Sequence, residues 1–311
     1  AGGFGNAIYI THADGYVSLY AHLNKFYPEL QEYIVREQYK TKSWKQDIYF
    51  KPHQFPVRKG KFIAWSGNTG SSEAPHLHME IRSAKTENPL NPLLFYTGLT
   101  DTKAPIVHKL AMYDGSKSIY EQTPVVMTLT KQGSNYKPAK ADLTINSNLV
   151  YFGINGDDYM EIASGTCGIF EMRMYVDDQA FYAWQHDDIS YDITRYMNAL
   201  ADYKTKKNGG PWIQLCHKLP NDQLKIYKSF TSSNGLIDLS DGTVKKIKIV
   251  VLDTKSNSST VEFTIQGKNV SNKPTCPNEF IAGKKNSFKN ESIEFTLNED
   301  CLYDNICFKS S

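Results

Sequence analysis

No apolar run in this chain approaches the roughly 20 residues that a membrane helix requires, which excludes a helical span. The opening stretch "AGGFGNAIYI" has neither a basic start nor a long apolar core, so no secretion signal is read there. The chain also lacks an initiating Met, starts on a glycine turn that feeds straight into a strand, and stops as abruptly at "NICFKSS". It is therefore expected to continue upstream. Its five cysteines (Cys167, Cys216, Cys276, Cys301, Cys307) contain no Cys-x-x-Cys pair, so zinc-ribbon and thioredoxin-like readings fail. One or two disulfides stay open, with Cys301 and Cys307 closest in sequence. Excess charge of one sign is missing too. A formal net charge of +2 gives no electrostatic footprint for nucleic acid or an anionic membrane.

What is present favours β structure. Twenty tyrosines and fifteen phenylalanines accompany frequent Thr, Ile and Val, residues that fit a pleated, half-buried surface. At 311 residues, with 40% hydrophobic content, the chain has room for two domains and part of a third. "NAIYITHADGYVSLYAHL" predicts a hairpin turning at Asp14-Gly15. Residues 24–57 break that rhythm, with Pro28 near the start of Leu30, Tyr33 and Ile34 at helical spacing, and predict a helical insertion. "FIAWSG" and "PHLHMEIRS" then resume the sheet. A polar linker at 101–110 leads into short β segments with regular turns, among them a hairpin at Asp177-Asp178. One helical stretch, "ITRYMNALADY", interrupts them. The expected layout is a first domain over 1–100, a β-sandwich over 101–270, and an incomplete β unit over 271–311.

Among the eight histidines, His12, His53, His108, His186 and His217 read as structural residues. His186-Asp187-Asp188 could hold a cation loosely, but a solvated loop accounts for it better. His22, His76 and His78 stand apart. In an extended strand His76, His78 and Glu80 share one face, and parity places His22 with Tyr16, Ser18 and Tyr20 on a polar face. Each lies beside a glycine-rich turn that admits close backbone approach. Glu80 reads equally well as a solvent-facing ion-pair partner.

"YAHL" at 20–23, "SGNTG" at 66–70 and "HLH" at 76–78, in that order, resemble the LytM-type (M23, lysostaphin-like) zinc metallopeptidases, over about residues 2–96. The resemblance implies an antiparallel peptidase domain of the duplicated-hybrid-motif type. It implies His78 as a zinc ligand, His76 as the general base toward the attacking water, and His22 as the group that stabilises the oxyanion. Zinc in this family has two further ligands, a His and an Asp in an upstream HxxxD motif, and residues 1–96 contain none. The insertion and the sandwich tail, the latter immunoglobulin-like, look like large M23 proteins of Bacteroidota-type envelopes.

The function expected from this resemblance is zinc-dependent endopeptidase action on peptidoglycan cross-links. It would take place in the periplasm or outside the cell of a Gram-negative bacterium, with the sandwich available to envelope proteins. The alternative is an inactive LytM-like adaptor that binds peptidoglycan or a partner hydrolase. A phosphocarrier that pairs two histidines on neighbouring strands fits less well, given the "PHLHME" spacing.

Overall fold

The computed structural model describes residues 3–161, 165–268 and 276–309. The chain divides into two compact units, Ala1–Pro92 and Leu93–Ser311, and both are mostly β.

In the first unit an antiparallel sheet runs in the order Ile8–Thr11, Tyr16–Ala21, His78–Ser83, Pro89–Leu90. The expected hairpin forms. His12 N–H bonds to the Tyr16 carbonyl at 2.8 Å, and Gly15 supplies the left-handed residue of the turn (φ 88°). The central strand buries Leu19 and Ala21 completely. The helix of the insertion spans Pro28–Thr41, with proline in its first turn, where a missing N–H costs nothing. It ends at Lys42, whose left-handed φ of 52° lets its N–H fold back onto Gln38 and Tyr39. Leu30 anchors the helix to Leu23, Phe26 and Tyr27. A two-residue ladder, Lys25–Phe26 against Ala64–Trp65, closes the base of the insertion, and the expected strand "FIAWSG" shortens to that pair.

In the second unit one hydrogen-bonded path links most strands. From Leu149–Tyr159 it passes to Ile106–Asp114, Val125–Gln132, Asn135–Pro138, Ser258–Gly267, Lys245–Leu252, Glu171–Val176 and Gln179–Gln185. Period-two burial drives the central pairing. Ile247 faces Phe263 and Ile249 faces Val261 in register, all within the core, while the intervening lysines stay outside. Trp184, Phe152, Met172 and Met174 fill the same core. The predicted turn at Asp177-Asp178 is present, and both residues adopt positive φ (51° and 63°), the conformation that matches hairpin twist.

The stretch "ITRYMNALADY" does not form one helix. It gives a 3-10 segment Tyr191–Tyr196, a single turn Met197–Leu200, and a separate short helix from Tyr203. Ala201 is extended and bridges to Gln214, and Asp202 caps the following helix while accepting the Tyr113 hydroxyl at 2.7 Å. Competition from those partners outweighs the local helical period. The cysteine expectation also changes. Cys276 pairs with Cys307, and Cys301 is a free, exposed thiol, because antiparallel pairing of Glu279–Phe280 with Ile306–Cys307 brings Cys276 to Cys307. Residues 276–309 are fastened into the second unit by Asp304, which accepts from Ser118 Oγ (3.0 Å) and Ile119 N (2.9 Å).

His217 packs its ring on Tyr151 (centroids 4.7 Å apart) and donates from Nδ1 to the Asn234 carbonyl at 2.9 Å. Desolvation pushes its pKa down to about 4, so the folded state holds it neutral. The stability this provides is complete above the unfolded-state value near 6.5 and is lost as pH falls toward about 4. Denaturant unfolding across that window should show wild type losing stability relative to His217→Gln as the solution is acidified; parallel curves would contradict this.

Candidate functional site

The Tyr16–Ala21 strand ends where His22 begins, and His22 adopts a positive φ of 57°. A non-glycine residue in that region is uncommon and must be held by its surroundings. Here two backbone bonds hold it, His22 N–H to the Phe4 carbonyl (2.9 Å) and Leu23 N–H to the Asn6 carbonyl (3.0 Å). The turn breaks the strand alternation: Ala21, not His22, stands opposite His78 in the ladder, yet the buried His22 ring (5% exposed) reaches that of His78. Strand parity therefore does not orient it.

Its ring is fixed from the "SGNTG" loop. Nδ1 of His22 lies 2.8 Å from the Thr69 carbonyl oxygen. Thr69 Oγ1 donates to the Leu23 carbonyl (2.9 Å) and accepts from Asn6 N–H (2.9 Å). One threonine thus ties three segments together. Gly70, at φ 77°, makes this approach feasible, because a Cβ there would collide with the backbone of Gly5.

His76 precedes its strand. It forms an isolated bridge with Gly67, and regular pairing begins only at His78, opposite Ala21. The expected continuous strand through both histidines is therefore shorter, yet the rings meet. The His22 centroid lies 4.8 Å from that of His76 and 5.6 Å from that of His78. Phe4 closes the side of the cluster, edge-on to His78 at 5.4 Å. Glu80 is buried rather than solvent-facing; it binds His78 Nε2 at 2.6 Å and Arg82 Nε at 2.7 Å. The Arg82 guanidinium sits over both Phe4 and Tyr9, 5.6 Å from each ring.

These partners assign the ring protons. The carbonyl of Thr69 only accepts, so Nδ1 of His22 carries hydrogen. The carbonyl of Ala74, 2.8 Å from Nδ1 of His76, does the same there, leaving Nε2 of neutral His76 as a lone-pair acceptor. The Glu80 carboxylate, paired with Arg82, accepts a hydrogen bond from His78 Nε2 and leaves Nδ1 of His78 as the lone-pair atom. Among the described residues the other nitrogen of each of the three rings makes no hydrogen bond.

A carboxylate-backed imidazole fits a zinc ligand. The ligand atoms of His22, His76 and His78 do not close around one ion, however: among the described residues the cluster is not a group of three ligand atoms within 4.8 Å of one another. The site fits one position of a zinc shell, not the whole. The other histidines lie elsewhere. His12 bonds Ser18 (2.8 Å), His108 meets Asp157 (3.0 Å), and His186 stacks on Trp184 (4.8 Å). Sequence reasoning missed Thr69, Phe4 and the inward turn of Glu80; the glycines that flank "GNT" were the one available signal for Thr69.

No protein-family model matches the chain. A stretch of 92 residues, 30% of the chain, is 36% identical to the DD-carboxypeptidase/endopeptidase Mpg of Neisseria meningitidis serogroup B, and equally to the protein of that name from Neisseria gonorrhoeae. The chain spans only 15% of the length of those curated relatives. Over 93 residues it is 37% identical to Lipoprotein NlpD of Yersinia enterocolitica, of which it covers 71%. The chain belongs to the family of that lipoprotein, an M23-like (LytM) peptidase family.

If the Thr69 clamp positions His22, Gly70→Ala should destabilise the first unit by about 2 kcal/mol or more, through backbone strain and collision. Gly3→Ala, whose Cβ meets open space, should be near neutral. Chemical denaturation of both variants measures this, and equal stabilities would refute the clamp.

Proposed function

We propose that the first unit is the histidine wall of a zinc-dependent endopeptidase that cleaves peptide cross-links of bacterial peptidoglycan. The observation that carries the reading is the meeting of three imidazoles, two tied through Nδ1 to backbone carbonyls and one tied through Nε2 to a carboxylate. Zinc, when bound, would supply Lewis acidity at the scissile carbonyl and lower the pKa of water. His78 would contribute one ligand through Nδ1, held in orientation by Glu80 and Arg82; a His and an Asp are the further ligands that the family resemblance implies.

His76, with Nδ1–H bound to the Ala74 carbonyl, accepts the proton of the attacking water at Nε2. His22 has its Nδ1–H committed to Thr69, so it can donate to an oxyanion only from a protonated Nε2. The two roles therefore require opposite protonation states. A reaction that uses one general base and one general acid gives a bell-shaped dependence on pH. The relatives' names (an endopeptidase, and a lipoprotein) support an envelope setting, periplasmic or secreted in a Gram-negative bacterium. The second unit, a sandwich of immunoglobulin type in this reading, is available to position substrate or to meet other envelope proteins.

A second reading is favoured by the single zinc ligand: an inactive adaptor that binds peptidoglycan or a partner hydrolase. One experiment separates the two. The full-length gene product is assayed for zinc content and for cleavage of purified muropeptides across pH. The peptidase reading predicts close to one zinc, a bell-shaped profile, and loss of about 10²–10⁴-fold in His76→Ala with zinc retained. His78→Ala should lose the metal, and Glu80→Gln should weaken its affinity by about 10–100-fold. Absence of zinc uptake would overturn this reading, and uptake without cleavage would favour the adaptor.

A further inference from the structure

Three aspartates far apart in sequence meet in the second unit. Asp101 lies in the segment that enters the Ile106–Asp114 strand, Asp158 near the end of the Leu149–Tyr159 strand, and Asp253 directly after Lys245–Leu252. One carboxylate oxygen from each lies within 4.8 Å of the other two. Asp158 and Asp253 are only 3% and 2% exposed. Among the described residues no lysine, arginine or histidine forms an ion pair with any of the three.

The frame around them is rigid. Both oxygens of Asp253 are occupied by its own turn, Oδ1 by Lys255 N–H and Asn257 N–H (2.8 Å each) and Oδ2 by the Asn257 amide (2.7 Å). That amide also donates to the Asp101 carbonyl at 3.0 Å. Glu161 accepts from Thr102 N–H (3.1 Å) and Thr102 Oγ1 (2.7 Å), which holds the neighbouring residue from the other side. Asp158 differs from the others. Its Oδ1 is closed to solvent and has no hydrogen-bond partner. A carboxylate oxygen shut away from water, unpaired and next to two like charges, is costly to fold around unless something positive meets it.

We propose that Asp101, Asp158 and Asp253 bind a calcium ion that ties the entering segment to the ends of two strands. The ligand set is carboxylate oxygen with neither sulfur nor imidazole, which selects a hard cation over zinc. Ligands drawn from three separate segments suit the loose coordination of calcium better than the near-ideal octahedron that magnesium demands. This site shares no residue with the histidine cluster, so it does not depend on the peptidase reading.

The test is thermal unfolding of the full chain with calcium chloride, magnesium chloride or a chelator. At about 10 mM, calcium should raise the midpoint of the second unit by about 5 °C, and magnesium should raise it clearly less. Asp158→Asn should abolish the calcium shift and raise the metal-free midpoint, since it removes the unpaired buried charge. Asp101→Asn, at a half-buried position, should also abolish the shift and serves if Asp158→Asn fails to fold. No calcium-specific shift in wild type, or an undiminished shift in a folded variant, overturns the proposal.

Discussion

The histidine cluster depends on one residue that is not a histidine. Thr69 receives the His22 ring on its backbone carbonyl and, through its hydroxyl, joins the Leu23 carbonyl to the Asn6 N–H. Each of these bonds is modest in net free energy, on the order of 1 kcal/mol. Together with the backbone bonds from His22 to Phe4 and from Leu23 to Asn6, they hold a non-glycine residue at positive φ and fix its tautomer. Without the clamp the Tyr16–Ala21 strand would continue its alternation past Ala21, and His22 would leave the cluster.

The other two histidines are held by the same logic with different partners. A backbone carbonyl sets the tautomer of His76, and a buried carboxylate sets that of His78. The Glu80–Arg82 pair explains why charge is tolerated at this depth. Glu80 is paired on both oxygens, and Arg82 spreads over two aromatic faces. Three chemically identical side chains thus present Nε2 twice, from His22 and His76, and Nδ1 once, from His78, and the difference lies in what stands behind each ring.

How much of this was legible beforehand follows from where the information resides. The hairpin at Asp14-Gly15, the turn at Asp177-Asp178 and the Pro28 helix start are local, carried by residues whose backbone preferences dominate. The mostly β character was legible for the same reason. The order of "YAHL", "SGNTG" and "HLH" marked the three histidines, and parity put Glu80 on the face of His78, but the burial of Glu80 against Arg82 and the positive φ of His22 are tertiary facts. The break at Ala201 escaped because a bridge to Gln214 outbids helix propensity, and the Cys276–Cys307 bond because strand pairing, not proximity in sequence, brought the thiols together. The aspartate triad had no sequence signal at all: its members stand in "LTDTK", "GDDY" and "VLDTK", three unremarkable strand ends and loops.

The account stands or falls on whether the imidazoles at 22, 76 and 78 share one pocket. A crystal structure of the protein measures it directly. It should show the His22 ring centroid near the 4.8 and 5.6 Å separations from His76 and His78, with His22 Nδ1 on the Thr69 carbonyl and His78 Nε2 on Glu80. Rings in separate pockets, or His22 turned outward with the strand, would contradict it.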